Sequence, residues 1–289
     1  MPIRLLALDL DGTLLNPRGL LTERNRKAIE AARERGVCVA IVTGRRFRDA
    51  RPIALDLGLN APLISHNGAL TKHARTLETV AVFPLPRAAA HQALSVGRDA
   101  GAGALVSDDH EGPGILLYDP LSRDNPALLA YVAWARRIHG DGGPDAVREI
   151  SSLEDYLDHD PVHLSFSGKC AAMSELCTEL RRELGATAKV FSTMYPKLDF
   201  TLLDVVHPEA SKGVGVAAAA AELGISQDEV MAIGDNFNDL EMLRYAGTGI
   251  VMGNADASLR ELEGLQMTTA NDEDGVAVAI ERFILDSTN

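Results

Sequence analysis

Short apolar runs that each stop at a polar cluster recur near the start of this chain. Ile3–Leu8 (IRLLAL) stops at Asp9, Val37–Val42 (VCVAIV) at Thr43-Gly44-Arg45, and Pro62–Ser65 (PLIS) at His66-Asn67-Gly68. Runs this short and continuous suit strands buried on both faces, as in parallel sheets. Between the first two, Thr22 can cap a helix through Arg35, with Gly36 where a terminating glycine belongs. Strand and helix in alternation at this spacing predict an α/β fold on a doubly wound parallel sheet, Rossmann-like in its layering. Ligands of such sheets gather at the carboxyl ends of the strands, where the three polar clusters fall.

The C-terminal third keeps the same rhythm. Lys212–Leu223 reads as a helix, Val230–Ile233 as a strand, Asn238–Ala246 as a helix and Gly249–Met252 as a strand. A short strand at Gln266–Thr269 and a helix over Gly275–Leu285 follow. The middle differs: helical stretches (Ala88–Ala100, Pro126–His139, Ala171–Leu184) mix with strand-like runs such as Val162–Ser167 and Leu198–Leu203. Gly112-Pro113-Gly114 and Gly140–Pro144 mark loops. The expectation is a Rossmann-like core of residues 1–85 and 200–289, with an α+β domain of residues 86–199 inserted into it. A length of 289 residues accommodates two such domains.

Charge and cysteine usage narrow the class. With 28 basic against 41 acidic residues the net charge is −13, and no Lys/Arg stripe stands out, so nucleic acid and anionic membrane are not expected partners. Three cysteines, Cys38, Cys170 and Cys177, build neither a disulfide framework nor a four-ligand zinc site. Cys170 and Cys177, seven apart on a helix, are expected to share a buried face. Arg4, Asp9 and Asp11 interrupt any apolar leader after Met1, and Gly213–Ala221 falls far short of a bilayer span. The expectation is a cytoplasmic protein, a monomer or weak homodimer.

Four polar elements carry chemistry. Asp9 and Asp11, in Asp9-Leu10-Asp11-Gly12-Thr13, are two carboxylates placed directly after a strand, where a cation relieves their repulsion. Mg²⁺ suits such a site, because it binds through one or two carboxylates together with water and phosphate oxygens. Thr43 and Gly44 offer a hydroxyl and an accessible amide. Lys212 opens a helix, where ammonium and helix amides together attract an anion. Asp235, Asn236, Asn238 and Asp239, in Gly234-Asp235-Asn236-Phe237-Asn238-Asp239, place further acids and amides at a strand end; a helix cap at Asn238 accounts for Asp239 but not for Asp235 or Asn236. The string Gly213-Val214-Gly215-Val216-Ala217-Ala218 matches a dinucleotide fingerprint, but six residues separate it from the preceding strand, where the fingerprint needs a tight turn.

Taken in order, these elements resemble the four motifs of the haloacid dehalogenase-like phosphatase superfamily: Asp9–Thr13, Thr43, Lys212 and Gly234–Asp239. The long interval between Thr43 and Lys212 resembles the Cof-type, or type IIB, branch, which carries a large cap there. Asn67-Gly68, Met252-Gly253-Asn254-Ala255 and Asn271-Asp272-Glu273-Asp274-Gly275-Val276 are similar to that branch too. The resemblance implies a Mg²⁺-dependent phosphatase acting on small phosphorylated metabolites, sugar phosphates first. Asp9 is then the nucleophile and Asp11 the acid and base. Asp9, Asp11 (through its carbonyl) and Asp235 hold the ion. Thr43, Gly44, Lys212 and Asn238 bind substrate and phosphate, with Asp239 and Asn236 in support, and the inserted domain selects the leaving group.

Two other readings keep the same motifs: a phosphomutase of the phosphomannomutase kind, and a metabolite-binding module without turnover. Gly101–Gly114, Arg123–Asn125 and Met194–Lys197 are the candidate specificity loops. His163 and His207 are expected to pack or face solvent, His66 stands beside a strand end, and Trp134 is expected in the core.

Overall fold

The computed structural model describes residues 2–286, except 109, 127, 132 and 134–145. Trp134, the Gly140–Pro144 loop and much of the expected 126–139 helix lie outside the described residues. The strands, in chain order, are β1 (Leu5–Leu8), β2 (Cys38–Ile41), β3 (Leu63–Ser65), β4 (Leu70–Lys72), β5 (Thr79–Val82), β6 (Ala104–Asp108), β7 (Ile115–Tyr118), β8 (Val147–Glu149), β9 (His163–Gly168), β10 (Lys189–Tyr195), β11 (Phe200–Val206), β12 (Val230–Gly234), β13 (Thr248–Val251) and β14 (Gln266–Met267). The chain divides into two compact units, Met1–Ala81 with Ser211–Asn289, and Val82–Ala210.

The first unit is built on a parallel sheet of order β14-β13-β12-β1-β2. β1 lies between β12 and β2, with Leu5 opposite both Val230 and Cys38, and Leu8 opposite both Ile233 and Ile41. All four β1 residues are fully buried, which is why the run is continuous rather than alternating. Each such leucine contributes about 2 kcal/mol through burial. The helix Glu23–Glu34 starts at Thr22, whose Oγ1 accepts from the Asn25 amide at 3.2 Å. It buries Ala28, Ile29 and Ala32, a spacing of one and three that keeps them on one face. The helix Lys212–Glu222 is rich in alanine and glycine and comes close to β3: a Cβ on Gly215 would stand 2.4 Å from Ile64 Cγ2.

Two expectations are corrected here. The run Pro62–Ser65 is not a third full member of the parallel sheet. One parallel bridge, Val42 to Ile64, joins it to β2, whereas β3 pairs antiparallel with β4 along its whole length, in a sheet of order β3-β4-β5. The turn His66–Gly68 sends the chain straight back, so β4 takes the neighbouring edge. The second correction is the boundary. The expected boundary after residue 199 cuts through the strand-like run Leu198–Leu203, but the whole of β11 pairs with β10, from Lys189↔Val206 to Tyr195↔Phe200, and with β9 on its other side. The second unit therefore runs to Ala210 rather than ending at residue 199.

That second unit carries a six-stranded sheet of order β10-β11-β9-β6-β7-β8, antiparallel except for β7 with β8. Leu164, Phe166, Val106, Leu203 and Val205 form a core with residues of the helices Arg87–Asp99 and Cys170–Leu184. Cys177 is buried there, while Cys170, at the first turn, is only half-buried, so the two do not share a buried face. His163 is packed as expected: it is buried, 2.8 Å from Asp204 Oδ1 and 3.3 Å from Ser107 Oγ. Among the described residues no helix is long and apolar enough to cross a membrane.

Candidate active site

Because β1, β2 and β12 are parallel and in register, the residues that follow them emerge at one edge of the sheet. Asp9 follows β1, Thr43 comes two residues after β2, and Asp235 follows β12. Lys212 opens its helix from a cap at Ser211, whose Oγ accepts from the Val214 amide at 3.2 Å. The lysine is 2 % exposed, and its Nζ donates to Asp9 Oδ1 at 2.6 Å and to Asp239 Oδ1 at 2.5 Å. Asp239 Oδ2 in turn accepts from the backbone amides of Asp235 and Asn236, each at 2.9 Å. Asp239 thus ties the lysine to the turn that carries Asp235.

Asp9, Asp235 and Asp239 bring carboxylate oxygens within 4.8 Å of one another. Burial pushes the Asp9 carboxyl well above the usual range; Lys212 opposes this, and Asp239 and Asp235 add to it. Burial, and then Asp239, push Asp235 up to about 6, with the Thr13 hydroxyl (2.9 Å from Asp235 Oδ1) working against them. Burial works against the Lys212 ammonium too, yet Asp239 and Asp9 hold it above its ordinary value. The trio offers oxygen donors clustered in a buried place, a set that fits a hard divalent cation.

Gly12 lets Asp235 approach. Its φ is +90°, and a Cβ there would stand 2.2 Å from Asp235 Oδ2. Asn254 and Asn271, quoted in the sequence without roles, brace the same turn. Asn254 Nδ2 donates to the Gly12 carbonyl at 2.9 Å and its Oδ1 accepts from the Asn271 amide at 2.9 Å, while Asn271 Nδ2 donates to the Leu15 carbonyl at 2.8 Å.

The remaining expected residues fall as follows. Thr43 is buried; its Oγ1 accepts from the Arg45 amide at 3.0 Å, leaving its own hydrogen to donate. Gly44 lies against the Asn67 side chain, 3.0 Å from its Oδ1 to where a Cβ would be. Asn238 donates through Nδ2 to Asn67 Oδ1 at 3.0 Å. The helix expected from Asn238 starts instead at Leu240, after a single turn over Phe237–Asp239 whose cap is Asn236. Asn236 Oδ1 accepts from the Phe237 amide at 2.7 Å and so caps the turn. The Asp11 carboxylate lies outside the acidic trio and is about half exposed. Arg45 forks onto it, Nε to Oδ2 at 2.7 Å and Nη2 to Oδ1 at 2.5 Å. Sequence reasoning did not single out Arg45 or Asn67 as site residues. The signals available were their place in the polar clusters that follow β2 and β3 and, for Asn67, the likeness of Asn67-Gly68 to the Cof-type branch.

Fold and site together define an α/β protein whose parallel sheet presents a carboxylate trio around one buried lysine. Residues 6–280 match the haloacid dehalogenase-like hydrolase family, and the chain belongs to that family, as an enzyme of its phosphatase kind. The HMP-PP phosphatase of Cronobacter sakazakii is 33% identical over 252 residues, covering 87% of this chain and 85% of that protein. The 5-amino-6-(5-phospho-D-ribitylamino)uracil phosphatase YcsE of Bacillus subtilis is 28% identical over 284 residues, covering 98% and 96%. A solved haloacid dehalogenase-like hydrolase from Bacteroides thetaiotaomicron superposes with a TM-score of 0.78 at 25% identity, covering 97% of this chain and 99% of that one.

Proposed function

We propose that the protein hydrolyses small phosphomonoesters, sugar phosphates first among them, through a phosphorylated Asp9. The observation that carries this reading is the contact of Lys212 with both Asp9 and Asp239 inside a buried acidic trio. A lysine this deep, held charged, is suited to a dianionic phosphoryl group arriving beside Asp9. Lys212 occupies Asp9 Oδ1, so Oδ2 is the atom that attacks phosphorus. The bond from phosphorus to the ester oxygen breaks as the bond to Asp9 forms, and the departing oxygen takes a proton from Asp11. Asp11 then removes a proton from the water that hydrolyses the acyl phosphate, which releases phosphate and restores Asp9. The Arg45 fork has to open before Asp11 can do this.

Thr43, Gly44, Lys212 and Asn238 hold the phosphoryl oxygens and Asp239 orients Lys212. Asp9, Asp235 and the Asp11 carbonyl would hold Mg²⁺. When bound, the ion supplies positive charge that offsets the acidic cluster and the phosphate. HMP-PP and the ribitylaminouracil phosphate, the substrates in the relatives' names, are small organic phosphates, and the reading extends that class to this chain.

An acid-quenched single turnover with a radiolabelled phosphomonoester tests the route. Label should appear on the peptide containing Asp9 and be missing from Asp9→Asn. Phosphate release with no protein-bound label at any quench time would remove the covalent step.

A further inference from the structure

The turns that follow β2 and β3 are fastened together at the catalytic edge. The Thr43 amide donates to the Ile64 carbonyl at 2.9 Å, the His66 amide to the Arg45 carbonyl at 2.9 Å, and the Asn67 amide to the Thr43 carbonyl at 3.1 Å. To make these bonds the chain adopts three successive left-handed residues, His66 (φ 52°), Asn67 (φ 55°) and Gly68 (φ 92°). Two of the three are not glycine, and such backbone is kept only where its surroundings impose it. Gly68 has reason to be there: a Cβ would stand 1.9 Å from the Ser211 carbonyl, directly before Lys212. His66 is held by accepting at Nε2 from the Phe47 amide at 3.3 Å. The left-handed Asn67 places a 2 % exposed carboxamide against Gly44 on one side and Asn238 on the other.

We infer that Asn67 is a positioning residue for the phosphoryl group, acting through Gly44 and Asn238; this rests on the phosphatase reading of the site. Its Oδ1 takes one amide hydrogen of Asn238. Asn238 keeps a second hydrogen and its carbonyl oxygen, now fixed in direction. The same carboxamide backs the Gly44 backbone, so the Thr43–Gly44 turn presents its donors in one arrangement. A neutral side chain suits this place, because a carboxylate beside Gly44 would repel the phosphate held there.

Asn67→Gly and Asn67→Asp separate this role from a merely structural one. Glycine and aspartate both tolerate left-handed backbone, so the turn persists in each. Glycine removes the acceptor, whereas aspartate keeps it and adds charge. Binding of inorganic phosphate to the Mg²⁺-loaded protein, measured by calorimetry, should weaken several-fold in Asn67→Gly and by about tenfold or more in Asn67→Asp. KM should rise by one common factor across monoesters with different leaving groups, with kcat falling less. Wild-type phosphate affinity in both variants would overturn the inference, as would a KM change that varies with the leaving group. No phosphate binding by wild type would overturn it as well. If wild type binds phosphate but hydrolyses no ester, the phosphatase reading fails and the binding comparison still decides the role of Asn67.

Discussion

Gly12 sets how close Asp235 can come to the turn that carries Asp11. Any β-carbon there meets the Asp235 carboxylate, and φ of +90° is one that other residues rarely adopt. Gly12→Ala should therefore displace Asp235, weaken divalent-ion binding and lower kcat/KM by about a hundredfold or more, since small misplacements of a reacting set are costly. Gly19→Ala is the control, because Gly19 is also left-handed (φ 71°) but has nothing within 4 Å of its Cβ position. That variant should lose some stability and keep its turnover. Equal activity in the two would mean that the approach of Asp235 does not matter. At this scale the sequence was most readable where function forces unusual residues together: Asp9, Asp235, Asp239 and Lys212 meet as their motifs suggest. The partners of Asp11 and Asn238 were not readable. Arg45 and Asp11 are 34 residues apart and Asn67 and Asn238 are 171 apart, and only tertiary folding brings each pair together.

Strand ends decide where the acids gather. β1 and β12 are parallel neighbours with Leu8 opposite Ile233, so Asp9 and Asp235, offset by one position, emerge at the same edge of the sheet. This crowding raises the proton affinity of Asp235, through burial first and Asp239 second, to a pKa of about 6. In the ion-free protein the raised value means that the fold favours the protonated acid. The stability it contributes is complete below its ordinary value of 3.8 and is lost as pH rises through about 6. Ion binding runs the other way, because Asp235 must lose its proton to act as a ligand. Affinity for Mg²⁺, followed by calorimetry, should therefore fall as pH drops from about 7.5 to about 5. A constant affinity over that window would place Asp235 outside the ion site. Apolar runs announced β1, β2, β12 and β13, because burial on both faces leaves a mark no surface segment shows. β3 was different: three residues between two candidate partners carry no signal for which edge they will take, and the left-handed turn at His66–Gly68 settles it. The course of β11 was equally hidden, since its pairing depends on β9 and β10 rather than on its own pattern.

Separate cores explain how one chain keeps two units. The buried cluster of Leu5, Ala40, Val216 and Val230 belongs wholly to the first, and that of Leu94, Phe166, Leu180 and Leu203 wholly to the second. The insertion was legible as a change of rhythm, from strand–helix alternation to mixed helices and alternating strands. Its far end lies at Ala210, beyond the expected residue 199, because β11 pairs along its whole length with β10 and β9. All the residues proposed for phosphoryl transfer come from the first unit. The most direct test of the whole is phosphate release from a panel of sugar, pyrimidine and other small organic phosphates with Mg²⁺. Wild type should release phosphate, EDTA should stop it and added Mg²⁺ restore it, and Asp9→Asn should be inert while folded. Turnover by folded Asp9→Asn at the wild-type rate would contradict the central role of Asp9.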